Sequence, residues 1–187
     1  MVSSTQQSPF VNRDTVVPAD CVQIVPYDPQ WPQLYEEESP QIQQALNGNC
    51  LSIHHIGSTS VPGLNAKPKI DILAVVKSFA SVDPTSLERL GFKTRGEMIP
   101  TGRYFKKESP SIHLHLFEEG NPLIAQDLKF RDWLREHPED RDAYGAFKQK
   151  LAFQFPEHNG MAFCRAKTEF IKSILAKMTH KGQIPTP

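Results

Sequence analysis

Three groups of residues in this chain carry side chains suited to chemistry. Gly57-Ser58-Thr59-Ser60 follows the apolar run Leu51–Ile56. A glycine-serine turn at the end of a strand can offer backbone N–H groups and a hydroxyl to a phosphate, because glycine permits close approach and unusual dihedrals. The same composition also serves as a plain chain reversal. Asp71 lies inside Ile70-Asp71-Ile72-Leu73-Ala74-Val75-Val76, the most apolar strand candidate in the chain. An ionised carboxylate there is expensive to bury unless it is paired, hydrogen-bonded or bound to a metal. Pairing with Lys67 or Lys69 is the alternative to a functional role. His113 and His115 alternate with Ile112, Leu114 and Leu116, so in a strand the two imidazoles share one face and the aliphatic residues the other. Beside Asp71 they would form a trio able to ligate a metal or act as acid and base, whereas elsewhere they would be an exposed polar face.

Basic residues flank these groups. Lys67 and Lys69 lie beside the loop, Arg103 and Lys106 fall in a candidate hairpin, and Arg131, Arg135, Lys148, Arg165 and Lys167 occupy the C-terminal half. Each can neutralise a phosphate or carboxylate, and each competes with ordinary surface ion pairing, for example with Asp132, Glu136 or Glu169. His54 and His55 are adjacent, so in a strand they point to opposite faces, and one of them suits a core position.

The elements that must position these residues can be read from spacing. Cys21–Val25 predicts a short edge strand, ended by Pro26 and Pro29. Trp31–Leu46 predicts a helix, with Pro32 tolerated in its first turn and Pro40 expected to kink or divide it. Strands are expected over Leu51–Ile56, Ile70–Val76 and Phe92–Arg95, and as a hairpin over Arg103–Lys107 and Ser111–Phe117. A short helix capped by Asp83 should run through Leu90 to Gly91. Helices over Leu123–Glu136, Glu139–Phe153 and Met161–Met178 complete the pattern. Strands dominate the first half and helices the second, which predicts an α+β fold, a sheet backed by helices with a C-terminal helical segment. The expected division is a flexible leader over 1–20, one domain over 21–178 and a flexible tail over 179–187.

Composition narrows the classes. Lys plus Arg and Asp plus Glu both number 21 among 187 residues, which gives no global field for nucleic acid or an anionic membrane. No apolar run approaches the length of a membrane span, and the leader lacks a signal-peptide core. Cys21, Cys50 and Cys164 are odd in number and without metal-knuckle spacing, consistent with reduced thiols and a cytoplasmic location.

Taken in order, several motifs resemble the GrpB family. They are Val25-Pro26-Tyr27-Asp28-Pro29-Gln30-Trp31-Pro32, Ile56-Gly57-Ser58-Thr59-Ser60-Val61-Pro62-Gly63-Leu64, Ala66-Lys67-Pro68, Ile70-Asp71-Ile72, His113-Leu114-His115, Phe130-Arg131-Asp132-Trp133-Leu134-Arg135, Tyr144 with Lys148, and Ala166-Lys167 with Phe170-Ile171. The likeness covers nearly everything from Val22 to Met178. It implies a nucleotidyltransferase-like mixed sheet, in which Gly57, Ser58, Thr59 and Ser60 would hold phosphate and Asp71 would hold Mg2+ or another divalent ion. It also favours Arg131, Lys148 and Lys167 as cleft residues. The chain departs from the superfamily pattern of two acids one residue apart, because Lys69 and Leu73 flank Asp71. His54 stands where the family tends to carry Glu, and Phe163 where it tends to carry Tyr. Three functions remain open: an enzyme acting on a phosphorylated or nucleotide substrate, a small-molecule enzyme using His113, His115 and Asp71 to cyclise, hydrate or rearrange a metabolite, and a noncatalytic ligand-binding module. The expected partner in each is a small molecule or nucleotide, with neither nucleic acid nor membrane.

Overall fold

The computed structural model describes residues 22–99, 101–155 and 160–180. The proposed leader and most of the proposed tail lie outside them. The elements in chain order are α1 (Trp31–Leu46), β1 (Cys50–Ile56), β2 (Ile70–Val76), α2 (Pro84–Glu88), β3 (Lys93–Ile99), β4 (Gly102–Lys107), β5 (Ile112–Glu118), α3 (Pro122–Glu136), α4 (Pro138–Ala152), α5 (Gly160–Ala166) and α6 (Thr168–His180). The strands form one five-stranded sheet in the order β1-β2-β5-β4-β3. β2 and β5 are parallel and the other neighbours antiparallel, so the sheet is mixed. The α+β class expected from the order of elements is the one observed.

Alternation along β2 and β5 gives the sheet two different faces. Ile70, Ile72, Ala74 and Val76 align with Ile112, Leu114 and Leu116 and pack under Trp31, Ile42 and Leu46 of α1 and Leu87 of α2. This is the larger core. On the opposite face Ile56, Leu73, Val75 and Phe117 meet Leu123, Ile124 and Leu128 of α3. A third cluster joins Trp133 and Leu134 of α3, Tyr144 of α4 and Ile174 and Met178 of α6 to Val61 and Leu64. Those last two residues belong to the loop before β2, so the helical layer clamps that loop from outside.

Three expectations change. Residues 22–25 do not form an edge strand. Val25 makes one isolated antiparallel bridge to Ala66, with both N–H···O contacts at 2.9 Å, and Val22 donates to the Phe155 carbonyl at 3.0 Å, so the segment is strapped across loop and helix rather than added to the sheet. Pro40 sits inside a continuous α1. Buried Glu38, Ser39, Ile42 and Leu46 hold both sides of it, and Lys107 of β4 grips the Glu38 carboxylate at 2.8 and 3.0 Å. Tertiary contacts there outweigh the missing amide hydrogen. The final helix is two helices, broken at Lys167. Phe163 packs with Val22, Leu151 and Ala152, whereas Ile174 and Met178 belong to the cluster on α3 and α4, so the chain must turn between them.

Leu114 is fully buried in β5, between β2 and β4. Leu114→Ala is expected to cost about 2–5 kcal/mol of stability, the range for a cavity in a packed core. Urea unfolding checks this, and a cost below about 1 kcal/mol would contradict the central placement of β5.

Candidate active site on the second sheet face

Asp71 is the second residue of β2 and pairs in register with Ile56 on one side and His113 on the other. Its side chain is 21% exposed. Three nitrogens surround Oδ1, each at 3.6 Å: Lys69 Nζ, His113 Nδ1 and His115 Nε2. Burial alone would raise the pKa of this carboxyl. The Lys69 ammonium, with His115 and His113, outweighs burial and holds it well below the usual carboxylate range. Asp71 is therefore a fixed negative charge.

The other carboxylate oxygen faces the loop. Gly57 has φ +70°, and a Cβ built on it would stand 2.6 Å from Asp71 Oδ2 and 3.0 Å from Asp71 Cβ. Only a residue without a side chain lets the backbone turn so close to the acid. The following Ser58–Ser60 segment forms a 3-10 turn with its members divided between roles. Thr59 is 1% exposed; its hydroxyl donates to the Lys69 carbonyl at 3.0 Å and meets His55 Nε2 at 3.1 Å. Ser60 is 3% exposed and donates to the Gly57 carbonyl at 2.6 Å. Both were expected to face phosphate, and the structure instead turns them inward to shape the turn. Ser58 differs. Its hydroxyl meets Lys148 Nζ at 2.8 Å.

The helices supply the opposite wall. Lys148 is 2% exposed and its Nζ also donates to the Asn65 carbonyl at 2.7 Å. Burial, reinforced by the Lys167 charge and opposed by Asp71, pushes its pKa well below that of an ordinary lysine. Lys167 lies at the break between α5 and α6 with its ammonium 5.0 Å from the Phe163 ring centre. Burial works against its charge, yet Tyr144, Cys164 and Asp71 together raise its pKa. Arg131 is brought alongside but committed: it donates to both oxygens of Asp132 at 2.7 and 3.0 Å and to the His55 carbonyl at 3.1 Å. Arg135 donates twice to the Ser60 carbonyl, at 3.0 and 2.7 Å, bracing the loop. Lys67 is half-buried in the same loop, and its carbonyl accepts the Lys69 N–H at 2.8 Å.

Arg103 is set apart from these residues. Antiparallel register places it opposite Leu116, on the α1 side of the sheet, where it donates to the Phe79 carbonyl at 3.0 Å and lies over the Phe79 ring. The expectation that it joins the site is corrected by this one-residue parity. Its neighbour Tyr104 pairs with His115 and takes the place assigned to it. The Tyr104 hydroxyl hydrogen-bonds His113 Nδ1, and its ring meets both imidazoles edge-on, with centres 5.2 and 4.9 Å apart. Burial, with Asp71 nearby, raises the phenol pKa far above its ordinary value, so it stays neutral. Burial and Lys69 likewise lower His113 to about 3. His54 contacts Ser52 at 3.1 Å, while His55 is buried on the other face, stacked on Tyr35. Arg165 is exposed, and Lys106 pairs with Glu108 at 3.0 Å.

A second acid does reach the site, from a helix rather than a strand. Asp127 of α3 lies in the row Ile124-Asp127-Leu128-Arg131 that faces the sheet. Burial, opposed by His115 and reinforced by Asp71, raises its pKa from 3.8 to about 6. It falls outside the strand pattern of two acids one residue apart. The inward row at helical spacing was the available signal. The trio Asp71, His113 and His115 does converge, yet among the described residues no group of three or more His, Cys, Asp or Glu side chains is arranged to hold a metal ion. His113 Nδ1 is already engaged by Tyr104.

Comparison with known proteins now decides the lineage. A family model described as GrpB protein matches residues 21–177. The chain belongs to the GrpB family. It is 39% identical over 162 residues to UPF0157 protein BH1888 of Halalkalibacterium halodurans, covering 83% of this chain and 82% of that protein. A crystal structure of conserved protein GrpB from Enterococcus faecalis superposes with TM-score 0.76 at 35% identity, covering 87% of this chain and all of that one. A dephospho-CoA kinase of Mycolicibacterium paratuberculosis is 28% identical over 158 residues, which are 68% of this chain and 39% of the kinase. The GrpB fold thus matches the mixed sheet and helical layer described above. Among the described residues, no helix is long and apolar enough to cross a membrane.

Two predictions test this geometry. Gly57→Ala is expected to lose at least about 1–2 kcal/mol, from the positive φ and the collision with Asp71, read as a fall in thermal midpoint; a midpoint unchanged from wild type would contradict the close approach. Asp127 has a folded-state pKa above its unfolded value, so it contributes stability below pH 3.8 that is lost as the pH rises through about 6. Asp127→Asn should therefore stabilise the protein by about 2–3 kcal/mol more at pH 8 than at pH 4. Equal effects at both pH values in urea titrations would contradict the burial of this acid.

Proposed function

We propose that this GrpB protein is an enzyme acting on a phosphorylated or nucleotide substrate in the cleft between the Gly57-Ser58 turn and the α3–α6 layer. The observation that carries the reading is the placement of Lys69 and Lys167 beside a glycine-serine turn whose backbone is pressed against the Asp71 carboxylate. Buried ammonium groups are costly, and a phosphate entering between Lys69 and Lys167 offsets that cost. The partial likeness to a protein named dephospho-CoA kinase supports nucleotide-related chemistry.

In this reading Lys69 and Lys167 hold the phosphate, and Ser58 offers its hydroxyl to the same group. His115 stands beside the fixed charge of Asp71, so it can take a proton from an acceptor hydroxyl or water while Asp71 stabilises the resulting imidazolium. Tyr104 and His113, held neutral, orient that pair without adding charge. Among the described residues no three His, Cys, Asp or Glu side chains are arranged to hold a metal ion, so the roles in this reading fall to protein side chains.

The neutral Tyr104–His113 pair favours a second reading, acid-base chemistry on a small molecule without phosphate, using the same His115 and Asp71. Titration with nucleoside triphosphates separates the two, because only the first predicts saturable binding that is weakened by Lys167→Met.

Asp71→Asn is expected to lower turnover of a phosphorylated substrate at least about 100-fold, in line with loss of a charge that acts on the transition state. The check is phosphate or pyrophosphate release across a panel of nucleotides, with circular dichroism to show that the fold is kept. A folded variant with full turnover contradicts the assignment.

A further inference from the structure

Ser58 and Lys148 make a contact that substrate holding does not explain. Lys148 comes from the middle of α4, is 2% exposed, and has its amine fixed by two oxygens, Ser58 Oγ at 2.8 Å and the Asn65 carbonyl at 2.7 Å. Its Nζ also stands 4.7 Å from the Tyr144 ring centre. The amine's direct partners are all neutral; the Asp71 charge favours its protonated form, and burial with the Lys167 charge outweighs it. The Ser58 hydroxyl lies at the first position of the turn, beside Gly57, where the backbone opens towards Asp71.

We propose that Ser58 is a nucleophile and Lys148 its general base, so that the cleft transfers a phosphoryl-type group through a covalent Ser58 intermediate. This rests on the reading of the cleft as a phosphate site and adds a step to it. A neutral amine has two hydrogens and one lone pair. Lys148 Nζ donates to both Ser58 Oγ and the Asn65 carbonyl; as the neutral amine it keeps one hydrogen on the Asn65 carbonyl and turns its lone pair to the Ser58 O–H, which is the arrangement of a serine-lysine pair. Burial and the nearby Lys167 charge favour that neutral form. In the forward step a P–O bond forms at Ser58 Oγ, the P–O bond to the leaving group breaks, and the Oγ proton passes to Lys148 Nζ. Lys148 then returns that proton to the leaving oxygen. In the second step water or an acceptor hydroxyl, giving its proton to His115, attacks the same phosphorus and releases Ser58 Oγ, which takes a proton from solvent as His115 returns its own to solvent, leaving Lys148 neutral. Charge and protons balance without any oxidant or metal.

The pair can be tested without knowing the substrate. A fluorophosphonate forms the same P–Oγ bond as fluoride leaves. Full-length protein treated with this probe should gain one adduct by intact-mass spectrometry, mapping to Ser58 by peptide sequencing. Ser58→Ala should lose it. Lys148→Arg keeps a cation at the site but cannot serve as a base near neutral pH, and should slow labelling at least about 50-fold; Lys148→Met guards against a folding artefact of either replacement, with circular dichroism as the control. No adduct on the folded wild type, an adduct on another residue, or unchanged labelling in both folded Lys148 variants overturns the proposal. Nucleotide binding is measured on the same wild-type sample by calorimetry. Binding without labelling sinks the nucleophile and leaves the phosphate cleft standing, whereas labelling at Ser58 without binding sustains the pair and removes the nucleotide reading.

Discussion

The carboxylate of Asp71 is the constraint on which the second sheet face depends. It stands in an otherwise apolar strand, and its two oxygens are used in different ways. Oδ1 faces Lys69, His113 and His115, while Oδ2 lies against the backbone of Gly57. An ionised group at this depth persists only because those neighbours compensate its lost hydration. In return it fixes where the loop turns, which way the imidazoles face, and where positive charge can gather. Thr59, Ser60 and Arg135 then brace the loop through the Lys69, Gly57 and Ser60 carbonyls, so the turn is held from within as well as from the acid.

The sheet separates the labour of its two faces. Parallel pairing of β2 with β5 puts Asp71 level with His113, and the strand period sends His113 and His115 to one side and Ile112, Leu114 and Leu116 to the other. The α1 face is a packed core, whereas the face under α3 holds buried charge. The helical layer closes that face and also delivers residues from distant positions: Asp127 from α3, Tyr144 and Lys148 from α4, and Lys167 from the break before α6.

Much of this was legible in the residues. Apolar periodicity located α1, β1, β2, the β4–β5 hairpin and the helices α3 and α4, and the two-residue spacing of His113 and His115 placed both on one face. Legibility failed where a tertiary contact decided the outcome. Pro40 reads as a break, yet Glu38 and Ile42 anchor the helix on either side of it. Arg103 and Tyr104 are neighbours of similar local appeal, and only the register of β4 against β5 shows that Tyr104 faces the imidazoles. Asp127 lies on a helix, outside the strand pattern of paired acids, although its place in an inward helical row is readable. The roles of Thr59 and Ser60 turned on burial, which their sequence composition does not encode.

The proposed phosphate recognition centres on one spot, the Gly57-Ser58 turn beside Asp71, and amide and imidazole NMR during titration with a nucleoside triphosphate tests that proposal most directly. The expected result is saturable shifts concentrated at the Gly57 and Ser58 amides and at the His113 and His115 rings. Shifts confined to the separate surface groove lined by Gly63, Arg141 and Lys150, or no shifts at millimolar nucleotide, would contradict it.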